Sequence, residues 1–440
     1  MSKEKSEIRN QKSEKLLIAG GRVIDPASGT DKVADVKIED GVIVKDFSAR
    51  SAFETIDAKG LIVTPGLIDM HVHLREPGRE DEETIETGAQ AAAAGGFTTI
   101  ACMPNTSPPI DNRSVLEYVT DKAVGAAVNV KVVAAITAGL AGERLSEMGD
   151  LANAGAVGFS DDGRPVANSA LMRLALEYSK VFDLPIISHA EDIFLSKDGV
   201  MHEGFISTQL GLKGIPAAAE ETMIARDIIL AELTGARLHI THVSTAGGVA
   251  LIRAGKLRGI KITADVTPHH LVLTDENLKG YDTNYKVNPP LRTQADNVAL
   301  LEGLINGDLD AIVSDHAPHA AQEKEQEIEA APFGAIGLQT TVPVLLTHLL
   351  SSHFDLPALI GKLTVGPAGI LGLRAGTLGS GEAADITLID PKAKLKIEPG
   401  YFLSKSRNSA FIGSDLVGSA KYTIVGGRIV FEAGGRSNEG

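Results

Sequence analysis

The chain has 440 residues, 43% of them apolar, a formal net charge of −15 and one cysteine, Cys102. This length exceeds one ordinary domain and fits a barrel of about 250 residues with a smaller unit beside it. The charge excludes a nucleic-acid scaffold and a polybasic membrane anchor, although one local arginine can still receive an anionic substrate. A lone cysteine excludes an internal disulfide and fits a reducing cytoplasm, and no apolar run is long enough to span a membrane.

Residues 1–14 are polar, carry no secretory-signal pattern, and are expected to form a disordered tail. From Lys15 the chain reads as short strands and turns, and "IAGGRVID" near the start is echoed by "IVGGRIVF" near the end. Segments 15–65 and 376–440 are therefore expected to build one small β-domain from the two termini. Between them, 66–375 alternates apolar strands with Ala-rich helical stretches such as "EETIETGAQAAAAGG", the pattern of a parallel sheet. Eight strands are predicted: "LIDMHVH", "TTIACMPN", "VKVVAAIT", "AVGFSDD", "PIISHAE", "RLHITHVS", "KITADVTPH" and "AIVSDHAPH". Eight strand–helix units predict an α/β fold, a (β/α)8 TIM-like barrel whose active site lies at the strands' C-terminal ends.

Polar residues gather at those ends. Strand one ends in His71 and His73, strand four in Asp161 and Asp162, strand five in His189, strand six in His242, and strand eight in Asp315. Residues i and i+2 of a strand share a face, so His71 and His73 can bind one metal ion. Imidazole with carboxylate suits zinc, and also manganese or cobalt. Four histidines and two carboxylates exceed one tetrahedral site and fit two ions that activate water and polarise a carbonyl. Alternation alone does not choose between Asp161 and Asp162. His239 is out of phase with His242 and reads as structural, as do His202, His348 and His353. His269 and His270 follow strand seven and either line the site or support it. His316 points away from Asp315, and Cys102 reads as packing.

Together these segments resemble a known family. "DMHVHLREPG" is similar to the signature of dihydroorotases within the amidohydrolase superfamily. "CMPNT", "FSDDG", "SHAED", "THVST", "VNPPLR", "SDHAPH" and "APFGAIGLQT" resemble the family's other blocks in the family's order, over about residues 15–435. Related hydantoinases and allantoinases share the H-x-H but not the whole set, and the long bacterial type matches best. The resemblance implies reversible cyclisation of N-carbamoyl-L-aspartate to L-dihydroorotate, a step of de novo pyrimidine synthesis. It implies that His71, His73 and Asp315 bind a first metal, that His189 and His242 bind a second, and that one or two zinc ions are held per subunit. Where the superfamily often has a carbamylated lysine bridge, this chain reads "FSDDG", and the match falls on Asp162. Metal-activated hydroxide would attack the ring amide carbonyl, with Asp315 as proton shuttle.

The substrate carries a carboxylate, which a guanidinium can grip through two hydrogen bonds. The resemblance implies that Arg75, Asn105 and His319 hold it, with His73 beside them, and that Asn288, Phe333 and Gly334 contact the ring. The bland alternatives are a surface ion pair of Arg75 with Glu76 or Glu80, and turn roles for the two asparagines beside prolines. Segment 320–331, "AAQEKEQEIEAA", is expected to be a solvated helix or loop, and its place after strand eight makes it a candidate lid. A homo-oligomer in the cytoplasm is expected, with aspartate transcarbamoylase as the partner the resemblance suggests. The competing readings are another cyclic-amide hydrolase and a scaffold that has lost catalysis; the latter typically lacks metal ligands, whereas every ligand position is filled here.

Overall fold

A computed structural model describes residues 15–48, 53–350 and 354–434. The expected tail at 1–14, and His353, lie outside the described residues.

The eight predicted strands form one parallel sheet in chain order: Leu67–Val72, Phe97–Cys102, Asn129–Ala135, Gly158–Ser160, Ile186–Ser188, Leu238–Ile240, Ile262–Val266 and Ala311–Ile312. The eighth returns to the first through a single parallel bridge between Val72 and His316, where the His73 N–H donates to the His316 carbonyl at 2.8 Å. Helices follow most strands, and their boundaries are written locally. Thr84 caps the helix Ile85–Gly95 in a reciprocal capping box with Thr87, and Asn112, Asn168, Thr245 and Thr293 cap later ones with their side chains.

Two apolar layers result. One lies between strands and helices and includes Phe97, Ile100, Leu176, Ile224 and Leu300. The other joins Met70, Ala101, Val133, Ile187, Ala311 and Val313 with Ile370 and Leu371 of the helix Val365–Leu371. Only a closed barrel brings side chains of strands one, three, five and eight into one cluster, so this layer fills the lumen. The pairing of strands one and two shifts register between Asp69 and Val72. Such a bulge re-aims side chains, and it falls on His71.

The termini meet in a second sheet. The N-terminal strands Lys15–Asp25, Thr30–Glu39, Val42–Val44, Glu54–Asp57 and Ile62–Pro65 join the C-terminal strands Ile386–Lys396, Asp415–Val425 and Arg428–Glu432. The seam is the antiparallel pairing of Ile62–Pro65 with Ile386–Ile389. Among the described residues, no helix is long and apolar enough to cross a membrane.

Gly95 ends the first barrel helix against the chain after strand eight, where an added Cβ would lie 2.2 Å from the Leu338 carbonyl oxygen. Backbone cannot yield as a side-chain tip can. Gly95→Ala is expected to destabilise the fold by about 1–3 kcal/mol, read as a lowered melting temperature. Gly369→Ala, in a helix with no atom within 4 Å of the new Cβ, is the control expected to leave it level or raised.

Candidate active site

The C-terminal ends of strands one, four, five, six and eight converge on one carboxylate. Asp162 lies 3.4 Å from His71 Nε2, 3.5 Å from His73 Nε2, 3.6 Å from His189 Nδ1 and 3.5 Å from His242 Nε2. The Asp315 carboxylate stands 3.3 Å from His73 Nε2 and 3.6 Å from His71 Nε2. All six side chains are buried. The choice that strand alternation left open is decided by hydrogen bonding. Asp161 accepts the Ile136 and Thr137 N–H groups at 2.8 and 2.9 Å, and the Thr137 hydroxyl, so it ties strand three to strand four and leaves Asp162 facing the histidines.

The donors fit a metal ion better than they fit each other. His71 Nε2 and Asp162 Oδ1 are buried without a hydrogen-bond partner although 3.4 Å apart. Ligand atoms of His71, His73 and Asp162, and again of Asp162, His189 and His242, lie within 4.8 Å of one another, so Asp162 belongs to both sets. The field points the same way. Burial pushes the Asp162 and Asp315 carboxyls up, but the surrounding imidazoles outweigh it and hold both well below the ordinary range. Burial lowers His71 and His189, yet Asp162 with its carboxylate neighbours raises them to about 9 and about 10. A field that draws protons onto buried imidazoles is one that holds a divalent cation.

A second layer orients the rings. His71 Nδ1 is 2.7 Å from Thr241 Oγ1, His73 Nδ1 is 2.8 Å from Asn105 Oδ1, and His189 Nε2 is 3.0 Å from Glu191 Oε2. Glu191 also accepts from Asn288 at 2.9 Å. The fully buried Asp265 of strand seven accepts from the His242 N–H at 2.5 Å, from Thr241, and from His239 at 2.8 Å. Sequence reasoning missed Glu191, Thr241 and Asp265. The available signals were a carboxylate two residues past His189, and a lone aspartate inside an apolar strand. His239 is structural through Asp265, His202 pairs with Arg292, and His316 turns away to Glu83. His270 bonds Thr267 and the Pro289 carbonyl; His269 is buried with Nε2 unpartnered and does not line the cavity.

His73, Asp162, His189, His242 and Asp315 of the donor set line a cavity of about 230 Å³. Its lining includes Arg75, Asn105, Asn288, His319, Phe333 and Gly334, each singled out from the sequence. Arg75 does not pair with Glu76 or Glu80. Its Nε meets Glu82 at 3.0 Å and the Pro318 carbonyl at 3.0 Å, and Nη2 lies 3.4 Å from His319 Nε2. Glu82 is another residue that sequence reasoning missed. Gly334 has φ +134, and a Cβ there would come within 2.9 Å of His319 Nε2, so a side chain would displace that ring. Arg75, His242 and Asp315 all sit at positive φ, +60, +40 and +46. Such backbone costs on the order of 1–3 kcal/mol per residue and gathers where function requires it.

Segment 320–331 carries a short helix, Ala321–Lys324, and exposed glutamates, but it is not loose. Lys286 Nζ donates to the Ile328 and Ala331 carbonyls, both at 2.6 Å, and lies 4.6 Å from the Phe333 ring centroid. The buried Lys324 donates to the Pro332 and Gly334 carbonyls at 2.9 Å. Two ammonium groups thus pin the backbone that presents Phe333 and Gly334. Lys286→Met keeps the length and removes the donors. It is expected to speed proteolysis within 320–331 by about tenfold or more, because charged hydrogen bonds that resist local opening are lost. Unchanged cleavage would show that the segment is held by packing alone.

Residues 60–247 match the family model described as dihydro-orotase-like. A dihydroorotase of Pelotomaculum thermopropionicum is 54% identical over 95% of this chain and 99% of its own, and one of Geobacter metallireducens is 53% identical with the same coverage. Among solved structures, an L-hydantoinase (dihydropyrimidinase) from Arthrobacter aurescens superposes with a TM-score of 0.86 at 27% identity, covering 96% of this chain and 97% of that one. A dihydropyrimidinase from Brevibacillus agri gives 0.82 at 25%, covering 95% of each. A barrel with a terminal sheet, a metal-type donor set and full-length identity above one half to named members place the chain in the dihydroorotase family of metal-dependent cyclic amide hydrolases.

Proposed function

We propose that this chain catalyses the reversible cyclisation of N-carbamoyl-L-aspartate to L-dihydroorotate and water, in de novo pyrimidine biosynthesis. The observation that carries the reading is one cavity with two unlike walls. One wall is the donor set around Asp162; the other offers Arg75, Asn105 and His319 to a carboxylate. A cyclic amide lacking a carboxylate would leave that second wall unused.

His71, His73 and Asp315 would hold one ion, and His189 and His242 a second, with Asp162 between them. A divalent metal bound there, zinc by donor type with manganese or cobalt as alternatives, makes water nucleophilic near neutral pH and polarises a carbonyl. The residues supply the rest. Arg75 presents its Nη edge to the substrate carboxylate, since Nε is occupied by Glu82 and Pro318. Asn105 joins this grip while its Oδ1 holds the His73 ring. Asn288, anchored by Glu191, and the backbone at Phe333 and Gly334 flank the ring. Asp315, its carboxyl held anionic, accepts the proton that the attacking water gives up and returns it to the leaving ring nitrogen; in cyclisation it takes the proton from the carbamoyl nitrogen.

Self-association is supported by apolar side chains exposed on the outer barrel helices: Leu174 and Tyr178 on one, Ile229 and Leu233 on the packed neighbour. A cytoplasmic setting is supported by the single, buried cysteine. Association with aspartate transcarbamoylase rests on the family resemblance alone.

The deciding experiment is turnover of L-dihydroorotate, hydantoin and allantoin by metal-loaded protein, with Asp315→Asn in parallel. Dihydroorotate alone is expected to turn over, with kcat falling by about 10²–10⁴-fold in the variant. Turnover of hydantoin or allantoin instead would sink the reading. Chelation should abolish activity, and elemental analysis of Asp162→Asn should find clearly less metal per chain than in the parent. Full metal content in that variant would remove Asp162 from the ligand set.

A further inference from the structure

We propose that Glu82 is a positioning residue for substrate recognition. It locks Arg75 and His319 into one carboxylate clamp, and this inference rests on the reading of those two side chains as the carboxylate grip. Glu82 lies between the first barrel strand and its helix and is 2% exposed. One of its oxygens meets Arg75 Nε at 3.0 Å. The other meets His319 Nδ1 at 2.9 Å and Arg79 Nη2 at 3.1 Å. A carboxylate only accepts, so the Nδ1–H donates to Glu82, and this contact turns Nε2 to the cavity, where it lies 2.7 Å from the Phe333 carbonyl oxygen and 3.4 Å from Arg75 Nη2.

Three features make this more than a buried ion pair. Arg75 and His319 come from loops at opposite ends of the barrel sequence, joined nearby by the single bridge between Val72 and His316. Arg75 holds a left-handed backbone, φ +60, which persists only where its surroundings over-determine it. Glu82 and Pro318 together occupy Nε, so the Nη groups are what Arg75 has left to offer, with Nη2 set 3.4 Å from His319 Nε2 beside the cavity. Glu82, His319 and Glu323 could geometrically surround a cation, since their ligand atoms lie within 4.8 Å of one another. However, Arg75 and Arg79 already occupy these carboxylates, with Arg79 2.6 Å from Glu323, and two guanidinium groups repel a metal ion. The cluster is the base of an anion grip.

Glu82→Gln is nearly isosteric but cannot accept from Arg75 and His319 at once. It is expected to raise KM for L-dihydroorotate by about tenfold or more, the weight of a charge-assisted hydrogen bond, while kcat falls less than about threefold. Metal content should match the parent. A fall in kcat at unchanged KM, or a loss of metal, overturns the proposal. Arg75→Ala separates the two levels: if it leaves KM unchanged, the clamp reading itself falls, whereas a raised KM there with none in Glu82→Gln sinks only the role of Glu82. In the double variant, Glu82→Gln should add much less to KM than it does alone; full multiplication of the two effects counts against action through Arg75. Glu82→Asp retains the charge but withdraws it by one methylene and is expected to raise KM in the same direction. It serves as the second reading if the glutamine variant does not fold.

Discussion

Two buried carboxylates, Asp162 and Asp315, set the terms for the rest of this molecule. A carboxylate removed from water is costly unless charge and hydrogen bonds compensate it. Four imidazoles supply part of that compensation, and each must come from a different height and direction. A closed parallel barrel meets the requirement because all its strands deliver their last residues to one rim. The apolar lumen beneath, from Met70 to Val313, excludes water from below, so the carboxylates' field is focused on the rim and not screened.

Behind that rim a second set of aspartates does structural work. Asp69 accepts the His71 and Ser314 N–H groups, Asp161 those of Ile136 and Thr137, and Asp265 that of His242. Each replaces a ladder hydrogen bond where the strand stops being regular, and each thereby fixes the backbone of a neighbouring strand end. The geometry of the cluster is thus set by carboxylate-to-backbone contacts one layer out, which is how side chains from several strands come to converge on one point.

Much of this was legible in the sequence because the signals were periodic or chemical. Apolar runs separated by Ala-rich stretches located all eight strands, and the histidines and aspartates read at their ends are the ones the fold brings together around Asp162. Strand lengths were overestimated where the chain leaves the ladder early. "AVGFSDD" contains only Gly158–Ser160 as strand, and "AIVSDHAPH" only Ala311–Ile312. In the latter the Ser314 N–H goes to Asp69, and Asp315 turns to positive φ, neither of which a hydrophobic pattern encodes. The choice between Asp161 and Asp162 depended on which one would cap a neighbouring strand, a long-range fact. The partner of Arg75 was sought among its nearest acidic neighbours, whereas the loop folds back to offer Glu82. Charged residues that support others leave little trace in sequence, because their partners are near in space and not along the chain.

The order in which the site residues occur along the chain has a consequence for biosynthesis. His71, His73, Asp162, His189 and His242 all precede residue 243, whereas Asp315 follows 73 residues after the last of them (242 to 315). The terminal sheet closes later still, when Ile386–Ile389 pairs with Ile62–Pro65. A chain emerging from the ribosome therefore carries five of the six clustered donors on six unclosed strands before it owns Asp315 or His319. Until then strands one, four, five and six carry that cluster on a sheet whose edges are still open, so the eighth strand both closes the barrel and completes the cluster. No chain short of the eighth strand can hold Asp315 against His71 and His73.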